Sequence, residues 1–152
     1  MSYGFSQRSV DSLEGVHPKL VAVVERALAI LSTWKECGQA STDFMVLEGV
    51  RTPARQRELY AKGRTAPGPK VTWTLTSNHF VNSKTGYGHA VDLVPYPIDW
   101  SDLKRFDLMS RAMFQAADEL DTPIRWGADW DRDGKPRERG ESDSPHFELW
   151  GA

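Results

Sequence analysis

Apolar residues recur at spacings of three and four after Pro18, at Leu20, Val24, Leu28, Leu31 and Trp34, and the pattern stops at Gly38. That periodicity lines one face and predicts a core helix. The apolar run Phe44 to Leu47, followed by Gly49, predicts a strand that carries the chain to Val50 and Arg51. Thr52-Pro53 then opens a second helix, with Thr as cap and Pro at the first helical position, and Gly63 closes it. Thr65 to Lys70 is a breaker cluster and reads as loop. Two strand-like pieces follow, Val71 to Leu75 and Ala90 to Val94. Ser101 is the expected cap of a third helix whose core face is Leu103, Phe106, Met113, Phe114, Ala117 and Leu120, ended by Asp121-Thr122-Pro123. Ile124 to Trp126 and Phe147 to Trp150 complete the set as closing strands around a charged loop.

Short strands interspersed with about three helices, without a repeated strand-helix-strand unit, give an α+β class with a small antiparallel sheet. At 152 residues, with no internal repeat or linker, the chain is expected to form a single domain over 1–152. Its 39% hydrophobic and 26% charged residues are those of a folded protein rather than a disordered one. A net charge of −2 supplies no global field for a polyanion, so nucleic acid is not an expected partner. The single cysteine, Cys37, rules out an intrachain disulfide and leaves stability to the core or to a metal. No stretch approaches the ~20 apolar residues that span a bilayer, and the opening residues lack a signal-peptide pattern. Membrane insertion is therefore not expected, and synthesis in the cytoplasm is.

The chain has only four histidines, His17, His79, His89 and His146. A hydrolytic zinc site needs three ligands of the histidine or carboxylate type, an open position and a nearby carboxylate to take a proton. Asp143-Ser144-Pro145-His146 sets a carboxylate three residues before a histidine at the mouth of an apolar strand. The bland reading is a solvated loop aspartate and a hydrogen-bonded histidine. Asp92 is the only charge in an apolar strand, and a buried carboxylate is costly unless it is paired or bound to metal.

Ser77-Asn78-His79, then Gly88-His89-Ala90-Val91-Asp92-Leu93, then Asp143 to His146, occur in an order that resembles the zinc peptidases of the D-alanyl-D-alanine carboxypeptidase and L-alanyl-D-glutamate endopeptidase group. The likeness is nearest to phage endolysins. It extends to Val16-His17-Pro18, to Glu48-Gly49-Val50-Arg51-Thr52 with Gln56, and to Trp126-Gly127-Ala128-Asp129-Trp130. The resemblance implies a fold like that of DD-peptidases and hedgehog domains, with a zinc site at the sheet. It implies His79, Asp92 and His146 as zinc ligands, Asp143 as catalytic base, Arg51 on substrate or oxyanion, and Gln56 positioning substrate or supporting Arg51. The implied substrate is the peptidoglycan stem peptide, cut at the L-alanyl-D-glutamate bond. A D-alanyl-D-alanine carboxypeptidase and a non-catalytic, zinc-stabilised wall-binding module are the rival readings. An endolysin of this kind works as a monomer in the periplasm or wall, reached through a separate pore-forming factor.

Twelve residues separate His79 from Asp92, more than the family pattern, which is read as an insertion at Phe80 to Thr85 in the turn before the Asp92 strand. His89 is the competing ligand, but three residues from Asp92 on a strand it falls on the opposite face. His17, ahead of Pro18, is expected to cap or pack. Asp129, Asp131 and Asp133, with Gly134, open like a calcium loop, yet the closing position falls on Gly140, with Glu138 and Glu141 out of step. Ca²⁺ is thus a second, weaker candidate beside Zn²⁺.

Overall fold

A computed structural model describes residues 3–70, 72, 76–138 and 141–151. Among them are helices α1 (Gln7–Ser12), α2 (Pro18–Glu36), α3 (Pro53–Ala61) and α4 (Leu103–Glu119). Strands β1 (Asp43–Glu48), β2 (Ala90–Tyr96), β3 (Ile124–Trp126) and β4 (His146–Leu149) form one antiparallel sheet in the order β1-β2-β4-β3. The α+β class and the small antiparallel sheet are as the sequence pattern requires. The strand expected at Val71 to Leu75 lies outside the described residues except for Thr72.

The cap residues explain where the helices begin. His17 accepts from Lys19 N–H through Nδ1 and caps α2, with Pro18 at the first position. Thr52 caps α3 by accepting from Arg55 N–H. One helix was not expected, and two expectations about α4 are corrected. The short α1 carries no apolar periodicity and is set instead by Ser6, whose hydroxyl accepts from Ser9 N–H. The N-cap position of α4 is Asp102, not Ser101, and its side chain makes no capping hydrogen bond; Ser101 lies one residue earlier, in a local turn where its N–H donates to the Asp99 carboxylate. Leu103 and Leu120 are exposed rather than core, since they sit at the two ends of α4, while Met109, Ala112 and Ala116 complete its buried stripe.

The core lies between one sheet face and the α2–α4 pair. Cross-strand register sorts the two faces. Val91 faces Phe147 and Phe147 faces Trp126 on the core side, where the last two rings stack at 6.1 Å. On the opposite side Asp92 faces His146, and Glu148 lies opposite both Ala90 and Arg125. β4 begins one residue earlier than expected and ends before Trp150, so His146 is itself a sheet residue. In β1 the register slips between Val46 and Glu48, so Val46 pairs with Leu93 while Glu48 pairs with Asp92. The slip takes Glu48 out of the core alternation and sets it beside the Asp92 carboxylate.

Gly49 follows this irregularity and lies against α1. A Cβ there would stand 1.9 Å from the Ser12 carbonyl oxygen, so no side chain fits without moving backbone. Gly49→Ala is expected to destabilise the protein by about 1–3 kcal/mol through overpacking. Urea unfolding measures it, and an unchanged midpoint would show that α1 yields freely.

Candidate functional site

The polar sheet face floors a cleft of about 690 Å³. Asp92 stands at its centre. Its Oδ1 lies 3.3 Å from His79 Nε2 and 3.3 Å from His146 Nδ1. These three atoms lie close enough together to share one metal ion.

Each histidine is turned by its other nitrogen. His79 sits in a turn before β2, 2% exposed, where its own N–H donates to Ser77 Oγ and its carbonyl accepts from Arg51 N–H. Its ring Nδ1 lies 2.7 Å from the Gly49 carbonyl oxygen, which can only accept. The neutral ring therefore carries its lone pair on Nε2, a buried atom with no hydrogen-bond partner. His146 Nε2 donates to Glu148 Oε1 at 2.7 Å, which turns Nδ1 toward Asp92. Glu148, 2% exposed, also accepts from Asn78 Nδ2 and Arg125 Nη2. A carboxylate behind a ligating imidazole fixes its tautomer and raises its basicity.

Two imidazole lone pairs and a carboxylate oxygen repel one another unless something positive lies among them. A proton does so in the metal-free protein. Burial opposes charge on His146, but its hydrogen bonds to Asp92 and Glu148 prevail and raise its pKa to about 10. Burial likewise opposes ionisation of Asp92, and its hydrogen bond with His146 prevails, holding its carboxyl far below the usual range. The orphaned His79 Nε2 and the donor set of two imidazoles and a carboxylate fit a metal ion better than a proton.

Arg51 donates through Nε and Nη2 to both oxygens of Glu48, through Nη1 to Gln56 Oε1, and through Nη2 to Asp92 Oδ2 at 3.4 Å. Four of its five N–H groups are thereby used. Gln56 is fully buried, accepts from Arg51 and donates to Thr72 Oγ1, so it holds Arg51 from behind. Asp143 lies at the cleft rim. Much of the residue meets solvent, yet the surrounding protein disfavours its charge and pushes its carboxyl up, with Asp92 adding to the rise and His146 opposing it. Its position depends on Gly127, where a Cβ would stand 2.3 Å from the Asp143 carbonyl oxygen.

His89 does not join the metal group. Its Nε2 pairs with Thr85 Oγ1, and its ring packs edge-on to His17. The excursion between His79 and Asp92 folds into a compact turn, with Asn82 and Tyr87 joined through backbone and Val81 bridged to Gly88. Asp129, Asp131 and Asp133 do cluster, and the fold brings in the two glutamates that looked out of step. Asp129, Asp131 and Glu141 form one metal-competent group, and Asp131, Asp133 and Glu138 another. The sequence reading missed Glu48, Asn78, Arg125 and Glu148. For Glu148 a signal existed, since it stands two residues from His146 on a strand and must share its face.

A family profile described as phage L-alanyl-D-glutamate peptidase matches residues 1–150. The chain belongs to that family. It is 33% identical over 156 residues to the L-alanyl-D-glutamate peptidase of Escherichia phage T5, covering 98% of this chain and 99% of that one. It is also similar to the crystal structure of the L-Ala D-Glu endopeptidase ChiX of Serratia marcescens, with a TM-score of 0.69 and 32% identity over 96% of this chain and 89% of the other.

The competition between proton and metal has a definite sign. The charged His146 stabilises the metal-free fold fully below its ordinary value of 6.5, and that stabilisation is lost as pH rises through about 10. The ionised Asp92 stabilises it above 3.8 and loses its effect as pH falls through its depressed value. The metal-free protein is expected to melt at progressively lower temperature as pH rises from 6.5 toward 10, whereas the gain from added metal grows over that interval. Thermal melts with metal and with chelator check this. A metal-induced gain that shrinks with rising pH would refute it.

Proposed function

We propose that this chain is a zinc-dependent endopeptidase, one catalytic domain over 1–152, that hydrolyses the L-alanyl-D-glutamate bond of the peptidoglycan stem peptide. The observation that carries the reading is the convergence of His79 Nε2, Asp92 Oδ1 and His146 Nδ1 in an open cleft, in a chain of this family. Two imidazoles and one carboxylate are a donor set suited to zinc with an open position. When bound, zinc supplies a Lewis acid that polarises the scissile carbonyl and acidifies water.

The protein's own groups do the rest. Asp143, its carboxyl raised and open to the cleft, takes the proton from the attacking water and returns one to the leaving amine of D-glutamate. Arg51, held by Glu48 and Gln56, engages Asp92 Oδ2 and has one Nη1–H left to donate to the substrate oxygen on which charge develops. Gln56 acts by fixing that guanidinium.

The substrate lies outside the cytoplasmic membrane, and no helix among the described residues is long and apolar enough to cross one. The enzyme then works as a monomer in the periplasm or wall after release through a separate pore-forming factor. A calcium ion held by Asp129, Asp131 and Glu141 would relieve the mutual repulsion of that group; the Asp131 carboxyl is pushed up by loss of solvation first, and then by the charges of Asp133 and Glu141.

Digestion of purified wall followed by mass spectrometry is expected to reveal a new free amine on D-glutamate. Released D-alanine would favour the carboxypeptidase instead. Asp143→Ala is expected to lower turnover at least ~100-fold while zinc stays bound, and His79→Ala, unlike His89→Ala, to empty the site. Zinc-loaded wild type without any hydrolysis would point to a wall-binding module. Calcium is expected to raise the melting temperature of the wild type and not of Asp131→Asn; equal shifts would put the ion elsewhere.

A further inference from the structure

Two tryptophans stand open in the same cleft as the metal group. Trp100 is 54% exposed and Trp130 47% exposed, and both line the cleft wall. Exposing an indole to water is unfavourable, and two in one cleft mark a surface that meets a ligand. Neither ring is loose. The Arg125 guanidinium lies 3.6 Å from the Trp130 ring centre, and Arg125 is in turn tied to Glu148. Trp100 stacks on Phe106 at 5.9 Å. Each is a braced aromatic plate rather than a mobile side chain.

We infer that Trp130 and Trp100 form a sugar-stacking platform for the N-acetylmuramoyl residue attached to the L-alanine of the substrate. The inference rests on the peptidase reading. In the stem peptide that alanine is joined through a lactyl group to the sugar, so the glycan lies only two short units from the bond to be cut. At about 3.3–3.6 Å per extended unit, the sugar sits about 7 Å from the scissile carbonyl. The Trp130 ring centre is 6.1 Å from that of His146, so this plate borders the metal group directly.

Charge agrees with this placement. Among the described residues lining the cleft, Glu48, Asp92, Asp143 and Glu148 are acidic and only Arg51 is a guanidinium, already paired. The lactyl carboxyl is consumed in its amide with alanine, so the sugar arrives uncharged. The C–H face of a pyranose meets the negative face of an indole without bringing any charge into a cleft whose Glu48, Asp92 and Glu148 carboxylates are already paired.

The test compares an N-acetylmuramoyl-L-alanyl-D-glutamyl peptide with the same peptide lacking the sugar. Wild type is expected to favour the sugar-bearing substrate about ten-fold, through KM. Trp100→Ala and Trp130→Ala should each raise KM for that substrate with little change in kcat. Trp100→Ala guards against loss of the brace on Arg125, since its ring rests on Phe106. Fluorescence titration with the N-acetylglucosaminyl-N-acetylmuramoyl disaccharide should show weaker binding by both variants. Equal use of the two substrates by wild type, or a sugar preference that survives both substitutions, would overturn the platform and leave the peptidase standing. Cleavage of neither substrate would remove the peptidase reading, and the titration would then decide the platform alone.

Discussion

One oxygen atom organises this protein's polar face. Asp92 Oδ1 lies 3.3 Å from nitrogens of two imidazoles whose other nitrogens are committed elsewhere, His79 to a backbone carbonyl and His146 to Glu148. With both rings neutral, three lone pairs meet at one point, and only a proton or a cation relieves that. The fold holds this arrangement because every surrounding contact is made to an atom that points away from the meeting point. Asp92 Oδ2 goes to Arg51, and Glu148 is secured by Asn78 and Arg125. A metal ion entering this point finds ligands already oriented, so little conformational entropy remains to be lost.

The sheet supplies the spacing. Asp92 and His146 are direct cross-strand partners, which places their side chains within reach without any loop having to close on them. Glu148 follows His146 on the same face, and the register slip in β1 delivers Glu48 to the other side of Asp92. Only His79 comes from outside the sheet. It is correspondingly the most heavily tied, through Ser77, the Gly49 carbonyl and the Arg51 backbone. The opposite face of the same strands is apolar and packs on α2 and α4. A one-residue shift of β2 against β4 would empty both the core and the site at once.

This division explains what could be read from the chain beforehand. The periodicity of Leu20 to Trp34 identifies α2 because helix packing depends on that period alone. Asp92 stands out because a charge in an apolar strand has to be accounted for, and the fold accounts for it. The choice of His79 over His89 follows from strand alternation, which sends His89 toward His17 and Thr85. Glu48 was not legible, because its role arises from a register slip that no local pattern announces. Nor were the partnerships of Asn78 and Arg125, which reach Glu148 from 70 and 23 residues away. Glu138 and Glu141 looked misplaced because a linear motif counts positions, whereas the described residues group Glu141 with Asp129 and Asp131, and Glu138 with Asp131 and Asp133.

The Arg51 clamp bears on how Asp92 can bind a metal. A free carboxylate can offer both oxygens to one ion, which would fill a coordination position that hydrolysis needs open. Here Oδ2 is engaged by a guanidinium whose orientation is fixed at Glu48 and Gln56, so Oδ1 alone faces the histidines. A bare cation so near the site would repel a metal, but Glu48 pairs with both Nε and Nη2 and offsets that charge. Glu48 and Arg51 thus act as a neutral unit that leaves a directional donor on Asp92. On this account Lys at position 51 would keep the charge and lose the fork, releasing Oδ2 and loosening Glu48 together. On the proposed metal reading, one-oxygen ligation by Asp92 would rest on the planarity of Arg51 more than on its charge.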